Sequence, residues 1–214
     1  MPVTINGNGH ISGLVVGGLP NGTVDADTLA SNSVTTVKID NNAITHAKST
    51  GLQRRISTTV TLPAANSITH NITTGTKKIE ILVSRVSSAN NSNLHLLLGD
   101  SGGIETSGYG HAMGFHRTGT SSREATVSNS TAAFSTYGLD SAGYEIWGTW
   151  KLYNPQGNTW VAEHVFWGSA ASNHQFWGNG YKTLSDTMTQ FRFECTSGNF
   201  DSGHITIVET MGDD

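Results

Sequence analysis

The sequence has little charge, few cysteines and prolines, and no long apolar run. Of its 214 residues 13% are charged, and only 1 Cys and 4 Pro are present. The charged fraction is about half that of an ordinary soluble domain, and Ser, Thr, Asn and Gly take its place. This polar but uncharged composition is typical of extracellular β-proteins and fibres, and it argues against a cytosolic helical enzyme.

Each absence excludes a class of structure or function. The single Cys195 cannot form an internal disulfide, and its strand-like context predicts a small buried residue. With a net charge of −4 and no block of Lys and Arg, we expect no binding to nucleic acid or to an anionic membrane. The first residues are too polar for a signal peptide, and no stretch approaches a membrane span, so we expect no membrane insertion.

The most regular pattern is a row of apolar residues spaced five apart between residues 24 and 50. An amphipathic helix requires spacings of three and four, and a half-buried strand requires alternation. So sparse a row cannot be buried within its own chain, but it can be where identical chains meet along an axis. We therefore predict an oligomerising stem over residues 24–53, in a homotrimer, against the alternative of a disordered polar linker. The row consists of Val24, Leu29, Val34, Ile39 and Ile44.

The stem divides the chain into three predicted parts. Residues 1–23 are rich in glycine and in Asn-Gly turn signals, and they are either a flexible tag or a segment that attaches to a larger particle. Residues 54–214 change to a two-residue period, with short strand-like runs separated by Gly, Asn and Ser. This pattern predicts an all-β head domain, an antiparallel β-sandwich that is jelly-roll-like.

Alternation in the head domain predicts which side chains face inward. The same phase puts Trp147 and Tyr153 on the opposite face of their strand. Residues 144–153, a turn at 154–158 and residues 160–167 predict a hairpin. Ile79, Ile81 and Val83 are predicted to face inward, Leu94, Leu96 and Leu98 form a further alternating run, and Tyr144, Ile146, Trp150 and Leu152 share one face of their strand.

Local signals predict further turns. Gly178-Asn179-Gly180 is predicted to form a turn after Trp177, and Leu184–Met188 one turn of helix. Gly99–Gly103 is predicted to form a tight turn at the end of a strand, with the Asp100 carboxylate accepting hydrogen bonds. A further strand is predicted over residues 127–134.

Two patterns resemble hydrolytic sites without predicting an enzyme. Gly99–Gly103 spells the nucleophile motif of chymotrypsin-like peptidases, but Ser101 has too few strands before it, and no upstream histidine has the family's context. Glu145, Glu163 and Glu194 are candidate glycosidase carboxylates, but the sequence does not fix their separation. We predict no catalytic residue.

The 9 histidines show no metal-binding spacing. His111 and His116 are predicted to lie in a loop, and His164 and His174 on different elements. No HExxH or His-x-His pair occurs, so we predict no metal and no cofactor. We interpret most histidines as surface or interface residues.

Aromatic residues form the strongest binding signal, since all 5 Trp lie within residues 147–177. Exposed rings beside Asn, His and Glu suit a sugar, which presents apolar C–H patches ringed by hydroxyls. The alternative is that the rings fill the interior of a second sheet or a subunit interface. The sequence places Trp167 and Trp177 at strand ends. The candidate ligand-binding residues are Trp147, Tyr153, Trp167, Trp177 and Tyr181.

Three segments resemble tailed-bacteriophage fibre proteins. Residues 11–50, ISGLVVGGLPNGTVDADTLASNSVTTVKIDNNAITHAKST, look like the lead-in and stem of such proteins, where Val/Ile-Thr-x-x-Lys-Ile repeats are common. Residues 96–109, LLLGDSGGIETSGY, and residues 199–207, NFDSGHITI, look like recurring segments of their C-terminal β-domains. The chain departs from the family in having no large anchoring domain and no long shaft.

This resemblance implies a trimeric virion fibre or adhesin, made in the host cytoplasm and acting outside the cell. Its head domain would contact a host surface receptor, a glycan or a protein, and its N-terminus would attach to another virion protein. A head fibre or capsid decoration protein is the alternative, and a hydrolase of surface polysaccharide is a third hypothesis. In this family setting Gly99–Gly103 is structural.

Overall fold

The structure, a computed structural model, consists of antiparallel β-strands. The described part of the chain contains no helix, and so none that could span a membrane. The described residues are 4–5, 11–12, 55–117, 123–126, 132–136, 144–169 and 174–212.

The chain divides into two units, Met1–Thr50 and Gly51–Asp214. In the first unit, β1 (Thr4–Ile5) pairs with β2 (Ile11–Ser12) in antiparallel register. The apolar row of the predicted stem lies outside the described residues. The stem, the trimer and the domain boundaries at residues 23 and 53 therefore stay predictions.

The second unit contains a large sheet of eight strands, in the order β3-β15-β5-β11-β12-β13-β8-β9. Strands β11, β12 and β13 follow one another as a meander, because each is joined to the next by a short connection. The strands are β3 (Arg55–Thr61), β5 (Thr76–Ser88), β8 (Tyr109–Arg117), β9 (Arg123–Thr126), β11 (Glu145–Gln156), β12 (Thr159–Ser169), β13 (His174–Thr183) and β15 (Phe200–Met211).

A small sheet of five strands has the order β10-β6-β14-β4, with β7 paired to β6. Leucines and phenylalanines on its inner face are fully buried, among them Leu96 and Phe193. Cys195 is also buried, as predicted. The strands are β4 (Ser67–Asn71), β6 (Leu94–Asp100), β7 (Gly103–Ile104), β10 (Phe134–Ser135) and β14 (Gln190–Cys195).

The inner faces of the two sheets contact each other through one hydrophobic core. The ring of Phe134 on β10 lies 6.4 Å from that of Trp150 on β11. The Tyr109 hydroxyl on β8 accepts a 2.7 Å hydrogen bond from the Leu98 amide on β6. Ile79, Ile81 and Val83 are buried as predicted, and the apolar residues in phase in the alternating runs 94–98 and 144–152 are buried as well, which confirms the two-residue period. The arrangement is compatible with a β-sandwich.

The predicted hairpin of β11 and β12 is confirmed, although its turn is shorter than expected. Gln156 pairs with Thr159, so that only Gly157 and Asn158 connect the strands. Gly157 has φ +51°, a conformation that glycine adopts without strain. The Asn154 amide also donates hydrogen bonds to the Gly157 and Thr159 carbonyls, at 2.7 and 2.9 Å.

Three local predictions are wrong, each because a distant partner decides the conformation. Gly178-Asn179-Gly180 is not a turn but the middle of β13, where a side chain at Gly178 would collide with the His164 ring and one at Gly180 with the backbone of β8. Leu184–Met188 is not helical, because Asp100 binds the Ser185 hydroxyl at 2.6 Å and the Asp186 amide at 3.0 Å. His111 and His116 lie on β8 rather than in a loop. Of the strand predicted at 127–134, residues 127–131 lie outside the described residues.

Candidate functional site

The outer face of the large sheet carries the aromatic residues singled out in the sequence. Antiparallel register sets four rows of side chains across β11, β12, β13 and β8. Rows are two residues apart, so the four span about 20 Å along the strands and about 14 Å across them. Seven residues define this outer aromatic face: Trp147, Tyr153, Val161, Val165, Trp167, Trp177 and Tyr181.

The outer aromatic face is open to solvent in the single chain. Trp167 is 40% exposed, Trp177 43% and Tyr181 58%. These three rings therefore do not fill the interior between the two sheets. Trp150 and Trp160, by contrast, are core residues. The prediction that Trp177 ends a strand is wrong, since it lies within β13.

Two of the exposed rings pack against glycines of β8. A Cβ built on Gly114 would lie 2.9 Å from indole carbons of Trp177, and one on Gly110 would lie 2.6 Å from the ring of Tyr181. Each ring therefore packs onto the backbone of the neighbouring strand. One ring face is fixed there, and the other remains available to a ligand.

The other aromatic residues of this face differ in the contacts that their side chains already make. Trp147 and Trp167 form a pair with ring centroids 5.1 Å apart, tilted by 44°. Tyr153 is already engaged, because its hydroxyl donates to Glu163 at 3.1 Å and the Lys78 ammonium lies 5.6 Å from its ring centroid. Partial burial and the Glu163 hydrogen bond both raise the pKa of Tyr153.

A groove of about 490 Å³ lies beside Trp177 on this outer face. Its apolar wall is formed by Val165 and Trp177, and its polar wall by Lys151, Glu163 and Asn179. Lys151 and Glu163 face each other at 3.5 Å, so their charges compensate each other. The groove thus offers an aromatic platform beside hydrogen-bond donors and acceptors, with little net charge.

Ser101 lies in the tight turn between β6 and β7, where Asp100 accepts a 2.8 Å hydrogen bond from the Gly102 amide, as predicted. The Ser101 hydroxyl donates to the Asp186 carboxylate at 3.2 Å. This partner is an acid rather than the histidine base that a serine nucleophile requires. The hydrogen bonds of Asp100 and Ser101 hold the turn in place.

The three candidate glycosidase carboxylates do not come together. Glu194 lies on β14 of the small sheet, whereas Glu145 and Glu163 lie on the outer side of the large sheet. Glu163 is paired with Lys151 of β11, and Lys151 is six residues along that strand from Glu145. At about 3.3 Å per residue, the carboxylates of Glu145 and Glu163 are therefore about 20 Å apart. Paired glycosidase carboxylates are about 5–10 Å apart.

Three histidines are exceptions to the interpretation of most histidines as surface or interface residues. His111, His164 and His174 are buried on the inner side of the large sheet. The described residues contain no group of three or more His, Cys, Asp or Glu suited to a metal ion. An inward phase was readable for His164, which alternates with buried Ala162 and Phe166.

Comparison of the chain with family models, with curated proteins and with solved structures finds no match.

Proposed function

We propose that this chain is a receptor-binding fibre protein of a tailed bacteriophage. In this proposal it is a homotrimer joined by the stem at residues 24–53, and the β-sandwich of residues 54–214 binds a glycan of the host surface. The observation that carries the proposal is the outer aromatic face, where Trp167, Trp177 and Tyr181 are exposed and two of these rings pack against glycines of β8.

The chemistry of the groove favours an uncharged glycan over a polyanionic one. A sugar ring stacks its C–H face on an aromatic ring and offers hydroxyls to polar neighbours. Trp177 supplies the ring, and Asn179 and Glu163 supply an amide and a carboxylate on the next row. The only cation of the groove, among the described residues, is Lys151, and Glu163 already compensates it.

A trimer would make weak binding at one face sufficient for attachment. Three copies on one particle act together, and the effective concentration raises the overall avidity by about 10²–10⁴ without new contacts. Static light scattering of the full chain should therefore give three times the 22.7 kDa of one chain. The double variant Val34→Asp/Ile39→Asp should be monomeric, because charges cannot be buried along the axis.

The glycan proposal is tested by binding of the full chain to an array of bacterial surface oligosaccharides. Trp177→Ala and Trp167→Ala should each weaken binding about tenfold, since a lost aromatic contact costs about 1.4 kcal/mol. Leu82→Ala is the matched control, because Leu82 is 44% exposed on the same sheet face but lies on β5.

Two results would overturn the proposal. If folded Trp177→Ala and Trp167→Ala bind as tightly as wild type, the aromatic face is not the receptor site. If these variants instead turn an oligomer into monomers, the face is a contact between subunits.

A further inference from the structure

Two imidazole rings meet inside the large sheet, beneath the groove. His164 projects from β12 and His111 from β8, on either side of β13, where their register partners are Gly178 and Gly180. The two rings are stacked, with centroids 5.6 Å apart and planes 27° apart. A Cβ on Gly178 would overlap the ring of His164, and one on Gly180 would lie 3.1 Å from the His111 Cα. The absence of a side chain at Gly178 therefore leaves the space that the His164 ring occupies, and Gly180 lies in close contact with the backbone of β8 beside His111.

The pair has no hydrogen-bond partner within the described part of the protein. Neither Nδ1 nor Nε2 of His111 and His164 is bonded, although both residues are at most 5% exposed. The Trp150 indole N–H is also unpaired, and its ring lies 4.3 Å from that of His164. A neutral imidazole carries one donor and one acceptor, and a protonated one carries two donors and a charge. Protonation would therefore add a charge where no acceptor is in place to stabilise it.

Among the described side chains, the charged and titratable groups on the surrounding strands do not compensate such a charge. On β11, β12 and β13, the charged groups lie on the outer face or are paired with one another. His95 on β6 acts electrostatically on His111 and lowers its pKa further, and His95 itself lies 3.6 Å from Glu194. The ion pairs are Lys151 with Glu163, Glu145 with Arg85, and Lys182 with Glu105. Tyr144 and His174 are hydrogen-bonded to each other. Tyr153, Tyr181 and His116 lie on the outer face.

We propose that the His111–His164 pair is an acid-sensitive switch that opens the β12–β13–β8 part of the large sheet. While both rings are neutral, the strands close over them. Once the pair is protonated, the two charges repel each other at a site where the described residues place no anion, and the strands separate to admit water. This inference stands apart from the proposed function, because it depends only on the packing around the two rings.

The direction of the pH dependence follows from burial. Burial lowers the pKa of His111 to about 4, with a smaller contribution from His95, and that of His164 to about 3, with a smaller contribution from His111. An unfolded histidine titrates near pH 6.5. The stability that the two neutral rings contribute is therefore fully present above pH 6.5, and it is lost as the pH falls from 6.5 through the lowered pKa values of about 4 and 3.

Urea unfolding of the full chain at pH 8 and pH 5 tests the switch. Each ring that must stay neutral in the fold should raise the unfolding equilibrium constant about thirtyfold over this range, hence about a thousandfold for the pair. The variant His111→Phe/His164→Phe replaces each imidazole by an aromatic ring that does not titrate, and it should not show this thousandfold rise. Each single variant retains one titrating ring and should show a rise of about thirtyfold. The exposed His204 serves as the matched control, since His204→Phe should respond to pH as wild type does.

Three further measurements decide the outcome even if the double variant does not fold. In wild type, NMR titration of the histidine Cε1–H signals should show His111 and His164 neutral at pH 5.5, and hydrogen exchange at pH 5 should increase first in β12, β13 and β8. Titration of both rings near pH 6.5 in the folded protein, or exchange that begins in the small sheet, overturns the proposal. Loss of stability on adding a chelator at pH 8 also overturns it, because the rings would then hold a metal.

Discussion

Replacing Glu209 should reveal how much one buried carboxylate contributes to joining the two sheets. Glu209 lies on β15 with its side chain buried, and His70 on β4 of the small sheet lies 3.0 Å from its Oε1. A carboxylate only accepts hydrogen bonds, so the His70 Nε2 donates this one. Glu209 Oε2 accepts from the Thr73 amide at 2.7 Å and from the Thr76 hydroxyl at 2.9 Å. We predict that Glu209→Ala destabilises the protein much more than Glu209→Gln does.

The magnitudes follow from what each substitution leaves behind. Glu209→Ala leaves the Thr73 N–H and the His70 ring without an acceptor, and each buried donor left unpaired in this way costs about 1–3 kcal/mol. Glu209→Gln keeps an acceptor oxygen for the Thr73 amide and loses the charge, which costs about 1–2 kcal/mol. An exposed pair costs far less, so Glu163→Ala, which removes the partner of Lys151, should stay within about 0.5 kcal/mol.

The pH dependence of this network has a defined sign. Burial alone would raise the pKa of Glu209, but the hydrogen bonds from His70, Thr73 and Thr76 outweigh it and lower the pKa below its ordinary value of 4.5. The ionised carboxylate therefore contributes stability that is present above pH 4.5 and is lost as the pH falls through the lowered pKa.

Urea unfolding followed by tryptophan fluorescence measures both effects. The difference between wild type and Glu209→Gln should be largest at pH 7 and should shrink below pH 4.5. A loss of less than 1 kcal/mol for Glu209→Ala, or a gap that widens in acid, would refute the reasoning.

Three more substitutions or treatments have defined outcomes. Gly178→Ala should destabilise the protein by about 2–4 kcal/mol in urea unfolding, because its Cβ has no room beside the His164 ring, with Nε2 only 2.9 Å away; an unchanged midpoint would contradict the packing. Tyr109→Phe should cost about 1–3 kcal/mol by thermal unfolding, since it leaves the buried Leu98 amide without its 2.7 Å acceptor. Burial raises the pKa of the Cys195 thiol to about 12, so folded protein should resist iodoacetamide at pH 8 and react only in urea; fast labelling without urea would show that the thiol is accessible.

Period-two alternation predicted the strand faces well because burial on one side of a sheet is a local property of the sequence. Ile79, Ile81 and Val83 face inward, as their phase requires, and Trp147 and Tyr153 lie on the opposite face of their strand from Trp150. The phase of the alternation is therefore enough to separate the core tryptophan of β11 from the surface aromatic residues of the same strand.

The errors concern residues whose role depends on partners far along the chain. A Gly-Asn-Gly sequence signals a turn through its backbone freedom. In β13 the same glycines serve another purpose, because a side chain at Gly178 would collide with the His164 ring and one at Gly180 with the backbone of β8. Since local patterns do not encode the strand order, the sequence could not indicate which neighbours Gly178 and Gly180 have in the sheet. The sequence did contain one sign of the packing between β8 and β13: Gly110 and Gly114 have the same four-residue spacing as Trp177 and Tyr181, the rings that pack against them.

The most direct test of a ligand at the outer aromatic face is an NMR titration of the tryptophan indole N–H signals with a host-surface oligosaccharide. The five signals can be assigned with single Trp→Phe variants. The account predicts that Trp167 and Trp177 shift on addition of the sugar, whereas the buried Trp150 and Trp160 do not. Shifts confined to the buried pair, or binding of the oligosaccharide with no change at Trp167 and Trp177, would contradict it.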